Sequence, residues 1–202
     1  MAQLNAHRNA YTAERIDAAR LEVAWNWQAP TPPRPAWHGP AKWDAYNNVR
    51  THSMRNYDSV FAPIVVGQRL YWGSSVDDAV HAVDAATGQP QWSFFTEGAV
   101  RVAPTYVDGR LYFGSDDGHA YCINAEDGAL IWKHRPSTPT RRVLNNGRFI
   151  PLWPVRTGVV VDNGTAYFAA SMLPWKESFL CALDAKTGEA NGSGRFVKRL
   201  EG

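Results

Sequence analysis

The chain repeats an eleven-residue pattern at an interval of about forty residues, and this repeat limits its fold more than any other feature. The first copy runs from Ala82 to Trp92, the second from Cys122 to Trp132, and a third, Ala182 to Gly188, follows after a longer interval. A period of this size indicates a supersecondary unit that cannot bury its own apolar face and must stack on a copy of itself. We therefore expect a stack of similar units.

Each unit has the signals of four short strands. In the best copy, Arg101 to Arg135, turn signals at Asp108-Gly109, Asp116 to Gly118 and Ala125 to Gly128 separate four segments of strand-forming residues. A single sheet of this kind is typical of a propeller blade. We predict an all-β chain that forms a partial β-propeller of four-stranded antiparallel blades.

The repeat also predicts how the chain is divided. Two complete blades are expected at residues 58–97 and 98–135, and an incomplete blade at 155–192, because Gly192 stands where the third copy should have its tryptophan. The other segments are predicted to be an N-terminal helical or extended segment (1–57), a basic inter-blade loop (136–154) and an off-pattern tail (193–202).

Two further expectations concern the missing parts of a propeller. Within the N-terminal segment, Leu21 to Trp27 is typical of the outer strand of a preceding blade, with Trp25 at its docking position. A closed propeller generally has four to eight blades. We therefore interpret the chain as a fragment of a longer protein, and assembly of several chains into one ring is the alternative.

Each of the first two repeats combines a turn with a docking tryptophan, and the third repeat keeps the turn residues. An Asp or Asn can hydrogen-bond its own backbone two residues on, and a glycine accepts the positive φ of the turn. The tryptophan lies four residues after that glycine, on the fourth strand, where it can cover the seam with the next blade. This structural role is assigned to Asp84, Gly88, Trp92, Asn124, Gly128, Trp132, Asp184 and Gly188.

The spacing Ala-x-Asp-x-x-x-Gly-x-x-x-Trp resembles the docking motif of pyrroloquinoline-quinone (PQQ)-like β-propeller repeats. Residues 82–92 match in full, residues 122–132 match with Cys for Ala and Asn for Asp, and the resemblance covers roughly residues 58–192. This family includes quinoprotein alcohol dehydrogenases and the non-catalytic propeller lipoprotein of bacterial outer-membrane assembly. The resemblance implies an extracytoplasmic location, which the residues themselves leave unknown.

The candidate ligand-binding residues lie mainly in a region without acidic residues, from Gly128 to Val161. A surplus of positive charge favours an anionic partner. Arg101 and Arg156 occupy equivalent positions and are expected to meet at the central channel, where two guanidinium groups can hold a carboxylate or phosphate. The candidate site is Arg101, Arg141, Arg142, Arg148, Trp153 and Arg156.

Two other interpretations of these arginines remain open. The loop can be a solvated segment whose charges aid solubility, and each arginine can pair with an aspartate of a neighbouring blade. Trp153 is included because its ring could offer a stacking face to a flat ligand.

The residues support no catalytic group, no metal site and no cofactor. Asp77-Asp78 and Asp116-Asp117 have oxygen atoms that suit a hard cation, but a turn between strands accounts for both pairs. Cys122 and Cys181 are one position out of phase in equivalent strands, so their thiols should point to opposite faces and no disulfide is expected. PQQ with calcium is implied by the resemblance only.

The leading hypothesis is a non-catalytic binding or scaffolding module with an electropositive face for a protein partner or a small anionic ligand. The alternative is a fragment of a PQQ-dependent quinoprotein dehydrogenase whose catalytic and calcium ligands lie outside this chain. A sensor module attached to a separate enzyme domain is the third hypothesis.

A net charge of +2 gives no argument for nucleic-acid binding, and no apolar run is long enough to span a bilayer. The remaining blades would come from the full-length chain or an oligomer.

Overall fold

The computed structural model describes residues 15, 17–29, 31, 61–137, 141–145, 148–173, 175–192 and 194–201. These residues form three four-stranded antiparallel sheets and one two-stranded hairpin. A short 3-10 helix, Ala18–Arg20, comes first, and the Asp17 carboxylate accepts a hydrogen bond from the backbone N–H of Ala19. Most of the predicted segment 1–57 lies outside the described residues.

The strands of each blade follow in chain order, and each one pairs with the next. Blade 1 consists of β1 (Pro63–Val66), β2 (Arg69–Ser74), β3 (Ala79–Asp84) and β4 (Pro90–Phe95). Blade 2 consists of β5 (Thr105–Val107), β6 (Arg110–Gly114), β7 (Ala120–Asn124) and β8 (Leu130–His134). Blade 3 consists of β11 (Val160–Asp162), β12 (Thr165–Ala170), β13 (Ser178–Asp184) and β14 (Phe196–Leu200). The predicted all-β class and four-stranded blades are confirmed.

The third blade has a fourth strand, so the prediction that it is incomplete is wrong. Strand β14 lies in the predicted tail, and its Phe196 pairs with Ala182 as Trp92 pairs with Ala82. Phe196 follows Gly188 by eight residues, whereas Trp92 follows Gly88 by four. The longer turn includes Gly192 and Gly194, both with positive φ. An aromatic residue therefore keeps the register of the missing tryptophan.

The predicted basic loop 136–154 contains a β-hairpin, which corrects that prediction. Strands β9 (Arg142–Asn145) and β10 (Arg148–Pro151) pair with Leu144 opposite Phe149. These two side chains are 67% and 69% exposed, whereas Ile150 on the other face is buried. The sequence signal for this hairpin is the Asn-Gly pair between the strands.

Adjacent blades are joined by the same docking contact. The indole N–H of Trp92 donates to the carbonyl of Ala125 at 3.3 Å, and that of Trp132 donates to the carbonyl of Ala185 at 3.0 Å. Each indole lies directly on the glycine of the next turn. A Cβ added to Gly128 would come within 2.9 Å of the Trp92 ring. Only glycine permits this approach at a positive φ.

Trp25 makes the same contact with the first blade. Its indole N–H donates to the carbonyl of Ala85 at 3.0 Å, and its ring lies over Gly88. The predicted docking position of Trp25 is confirmed, but the prediction that residues 21–27 form an outer strand is wrong, because none of them belongs to a strand of the described sheets.

Both cysteines are buried and free. They point to opposite faces of their own sheets, as predicted. Because the two sheets are neighbours, both thiols enter the same core between blades 2 and 3. Burial raises the pKa of Cys122 to about 11 and that of Cys181 to about 12. Both thiols are therefore protonated at neutral pH and behave as small apolar side chains.

Candidate binding site on the loop face

The loop face is the end of the blades that carries the β2–β3, β6–β7 and β12–β13 turns, the links between blades and the β9–β10 hairpin. Arg101 and Arg156 meet there, as predicted, but on a carboxylate of the chain itself. The Nε of Arg101 lies 2.8 Å from Oδ2 of Asp116, and the Nε of Arg156 lies 2.7 Å from Oδ1. The side chains of Arg101, Asp116 and Arg156 are 9%, 4% and 20% exposed.

Local backbone contacts bring these three side chains together. Arg101 precedes β5, Arg156 precedes β11, and Asp116 lies in the β6–β7 turn between them. The N–H of Asp116 donates to the carbonyl of Ala99, and the N–H of Val155 donates to the carbonyl of Ser115. Both inter-blade links therefore run beside this turn. Arg156 also donates from Nη2 to Oδ2 of Asp116 at 2.9 Å, so its contact is bidentate.

The sequence left open that these arginines pair with an aspartate, and Asp116 is that aspartate. One carboxylate faces two guanidinium groups, so the cluster has one net positive charge. A ligand can reach these guanidinium groups only if a cavity beside the cluster is large enough to hold it.

Arg148 anchors the hairpin to blade 1. It forms an ion pair with Asp78, which lies in the β2–β3 turn at a φ of 59°. A small cavity of about 50 Å³ lies between this pair and the Arg101–Asp116 pair. A cavity of this size holds a water molecule or two, and it is too small for an organic ligand.

Arg141 and Arg142 are exposed. Arg142 lies two residues from Leu144 and shares the outward face of the hairpin. Glu177 lies near Arg141: a hydrogen bond from its own backbone, and then the charges of Arg199 and Arg141, lower the pKa of Glu177. The Arg199–Glu177 ion pair has a length of 2.5 Å.

Trp153 packs in the core between blades 2 and 3. Its indole N–H donates to the carbonyl of Glu177 at 2.7 Å, and its ring meets Phe179 edge to face at 5.5 Å. The expected stacking face is consequently not presented to solvent, and Trp153 fixes the loop that carries Glu177.

Sequence reasoning did not anticipate the role of Asp117. This buried carboxylate accepts hydrogen bonds from the Tyr121 hydroxyl at 2.5 Å and the His119 backbone at 2.9 Å. Burial alone would raise the pKa of Asp117, but the bonds from His119 and Tyr121 outweigh it and lower the pKa. In blade 1, Asp77 meets His81 in the same way. The sequence signal for this role is an Asp four residues before a polar ring, Asp77 before His81 and Asp117 before Tyr121.

The described residues do not fit a quinone and calcium. Both inward guanidinium groups already bind Asp116, and the neighbouring cavity is far smaller than a tricyclic quinone requires. Nowhere in the described part of the chain do three His, Cys, Asp or Glu side chains gather as a metal site would require. The sequence also has no adjacent cysteine pair. Arg141 and Arg142 are exposed on this face, and their positive charge favours an acidic group.

Comparisons with known proteins agree with the repeat architecture. The family model described as "Outer membrane protein assembly factor BamB" matches residues 35–193. The polyvinylalcohol dehydrogenase of Sphingopyxis sp. (strain 113P3) is 31% identical over 137 residues, which is 62% of this chain and 20% of that protein. The quinone-dependent alcohol dehydrogenase subunit of Gluconacetobacter polyoxogenes is 26% identical over 143 residues, which is 64% of this chain and 18% of the subunit.

Solved structures show the same fold. A europium-containing methanol dehydrogenase superposes with a TM-score of 0.53 at 18% identity, covering 69% of this chain and 24% of that one. The quinohemoprotein alcohol dehydrogenase ADHIIG from Pseudomonas putida HK5 superposes with a TM-score of 0.53 at 22% identity, covering 63% and 19%. The chain spans about a fifth of the length of the curated relatives it matches. In the described residues, no helix is long and apolar enough to cross a membrane.

Proposed function

The chain belongs to the PQQ-like β-propeller repeat family, and from this premise we propose that it is a non-catalytic binding module that docks an acidic partner on its loop face. The observation that carries the proposal is the β9–β10 hairpin. It presents exposed Arg141 and Arg142 beside the exposed pair Leu144 and Phe149.

The distribution of ion pairs supports the hairpin as the contact region. Arg101 and Arg156 share Asp116, and Arg148 pairs with Asp78, so these three arginines hold the face together. Arg141 and Arg142 stand outside that network of short ion pairs. They provide the positive field that attracts an acidic group, and the rigid base beneath them lowers the entropy lost on binding.

The apolar pair favours a protein or peptide over a small anion. Leu144 and Phe149 lie opposite each other on the outward face of the hairpin, and arginine with aromatic side chains is the usual composition of an interface hot spot. An acidic segment that also carries apolar side chains would satisfy both features. A small anionic ligand would use the arginines alone.

Binding of an acidic peptide tests this proposal. A fluorescent peptide of alternating Glu and Phe is titrated by anisotropy at low and high salt. The variant R141Q/R142Q is expected to bind about tenfold more weakly, and L144S/F149S to lose a similar factor. The matched control K133Q/K198Q removes two exposed charges from outer strands and should bind as the wild type does. Equal affinity of R141Q/R142Q and wild type would reject the proposal.

The second candidate is part of a PQQ-dependent dehydrogenase, favoured by the names of the relatives. In that case the remaining blades of a longer protein would supply the quinone and metal ligands, because the described residues do not fit them. Adding PQQ and calcium to the full-length protein distinguishes the two. Quinone absorbance with dye-linked alcohol oxidation would favour the dehydrogenase, and no binding at saturating PQQ would favour the binding module.

We also propose an extracytoplasmic location, because the matching family description refers to the outer membrane. Fractionation of the producing cell tests it: recovery of the protein with a cytoplasmic marker enzyme would contradict this location.

A further inference from the structure

The opposite end of the blades, here called the motif face, has a groove that the proposed function does not use. The groove has a volume of about 620 Å³ and lies between the β1–β2 turn of blade 1 and the β5–β6 and β7–β8 turns of blade 2. Small-molecule sites typically have roughly 300–1,000 Å³. The groove is therefore large enough for a ligand of several rings.

Arg69 is held in a defined position inside this groove. Its Nε donates to Oε1 of Gln91 at 2.6 Å, and its Nη2 lies 2.8 Å from Oε1 of Glu126. These two contacts come from different blades, and Arg69 is one of the residues that line the groove. A guanidinium fixed in this way is a prepared hydrogen-bond donor.

The lining as a whole is mostly polar and carries little net charge. Asp84 and Glu126 provide two negative charges against the one positive charge of Arg69, so the groove has a formal charge of −1. Amides of Gln68 and Asn124 add both donors and acceptors. This charge disfavours anions. A mostly polar lining with both donors and acceptors suits a ligand whose own groups both donate and accept.

The equivalent positions between blades 2 and 3 do not carry this chemistry. The groove residues Tyr106, Gln91 and Glu126 correspond there to Val161, Ile131 and Lys186. Arg110, the counterpart of Arg69, donates to the backbone carbonyl of Lys186 at 3.3 Å instead of a carboxylate. The polar groove is therefore not a necessary consequence of the docking contact.

We propose that the groove on the motif face binds a neutral polyhydroxylated ligand, an oligosaccharide or a similar polyol. Hydroxyl groups would bond to Arg69, Asp84 and the amides. The Tyr106 side chain would offer a ring against the C–H face of the ligand.

The experiment measures binding of three uncharged trisaccharides, maltotriose, cellotriose and mannotriose, to the full chain by protein-observed NMR titration. At least one of them is expected to give saturable shifts of the Gln68 and Glu126 amides. Citrate serves as the anionic comparison and should give none at these positions. Absence of saturable shifts with all three sugars up to about 20 mM would overturn the proposal.

The variant Y106V/Q91I transfers the residues of the second junction to the first. The fold should tolerate them, because the same residue types occupy the same register in the neighbouring junction, and unchanged thermal unfolding verifies this. The variant should weaken trisaccharide binding by about tenfold or more. V161A, placed in the second junction, is the matched control and should bind as the wild type does. Equal affinity of Y106V/Q91I and wild type, or a preference for citrate, would also overturn the proposal.

Discussion

The two blade junctions use the same backbone contacts and fill the space between them differently. In both, a tryptophan and a tyrosine donate to one alanine carbonyl: Trp92 and Tyr71 to Ala125, and Trp132 and Tyr112 to Ala185. Both tyrosine bonds have a length of 3.0 Å. The docking contact is therefore a fixed element, because its acceptor is a backbone atom whose position the turn determines.

The cores beside this contact have different compositions. In the first junction, Phe94 meets Phe113 at 6.1 Å and Tyr121 at 5.7 Å, edge to face in both cases. In the second, His134 stands in the place of Phe94 and meets Phe168 at 6.3 Å. Cys181 takes the position of Tyr121. An aromatic cluster and a mixed cluster thus support the same blade geometry.

The difference indicates where the repeat can vary. Contacts to backbone atoms require only tryptophan, tyrosine and glycine at a few positions, whereas the neighbouring side chains are limited mainly by volume. Different residues at the rim of the first junction produce the polar groove on the motif face. In the core, His134 of the second junction replaces Phe94 of the first, and this changes which groups can titrate. The comparison predicts that the two junctions differ in stability and in pH dependence.

The largest expected effect comes from the docking tryptophans. Trp132 is only 7% exposed and Trp92 is half-buried. W132A should therefore lower the free energy of unfolding by about 3–5 kcal/mol, and W92A by less, because less apolar surface returns to water. Urea denaturation of both variants measures the difference.

Equal losses for W132A and W92A would mean that the docking contact alone determines the strength of a junction. The different burial of the two indoles would then have no energetic consequence. W175A is the control, because Trp175 is exposed and should change the free energy of unfolding by no more than about 0.5 kcal/mol.

A smaller effect is expected at the loop face, where Asp116 connects both junctions. D116N removes the charge between two guanidinium groups that are mostly buried, and should cost about 2–3 kcal/mol after allowance for the partial exposure of Arg156. Hydrogen exchange should show lower protection on both sides of the turn, in the links before β5 and β11. D162N, at an exposed turn, should leave protection unchanged. Loss of protection on one side only would show that Asp116 does not couple the junctions.

The fold could be predicted from the sequence at positions where the backbone geometry permits only one residue type. The repeated glycine and tryptophan positions predicted the blades and even the docking of Trp25, because the indole can reach the carbonyl only over a glycine. The same criterion failed in blade 3. There the turn is longer, and Phe196 takes the register position at a different spacing from Gly188.

The candidate site was less predictable, because it depends on contacts between distant parts of the chain. The equivalence of Arg101 and Arg156 predicted that they would meet. It did not identify Asp116 as their shared partner, since an aspartate in a turn has a sufficient local explanation. Burial of Trp153 likewise depends on the loop after β12, for which the sequence has no repeat signal.

The smallest expected effect concerns the titration of His134, the residue that replaces Phe94 in the second junction. Burial lowers the pKa of His134 below its ordinary value of 6.5, although a hydrogen bond to the Gly188 backbone opposes this shift. The unfolded chain therefore takes up a proton before the folded one does, and the free energy of unfolding must fall as the pH decreases below about 6.5.

H134F places the residue of the first junction in the second and should remove this part of the pH dependence. At pH 8, where the histidine is neutral in both states, the variant should differ from wild type by less than about 1 kcal/mol. Urea denaturation between pH 8 and pH 5 measures both quantities. If wild type and H134F lost stability in parallel over this range, the mixed core of the second junction would contribute nothing to the pH response, and the two junctions would be equivalent in this respect.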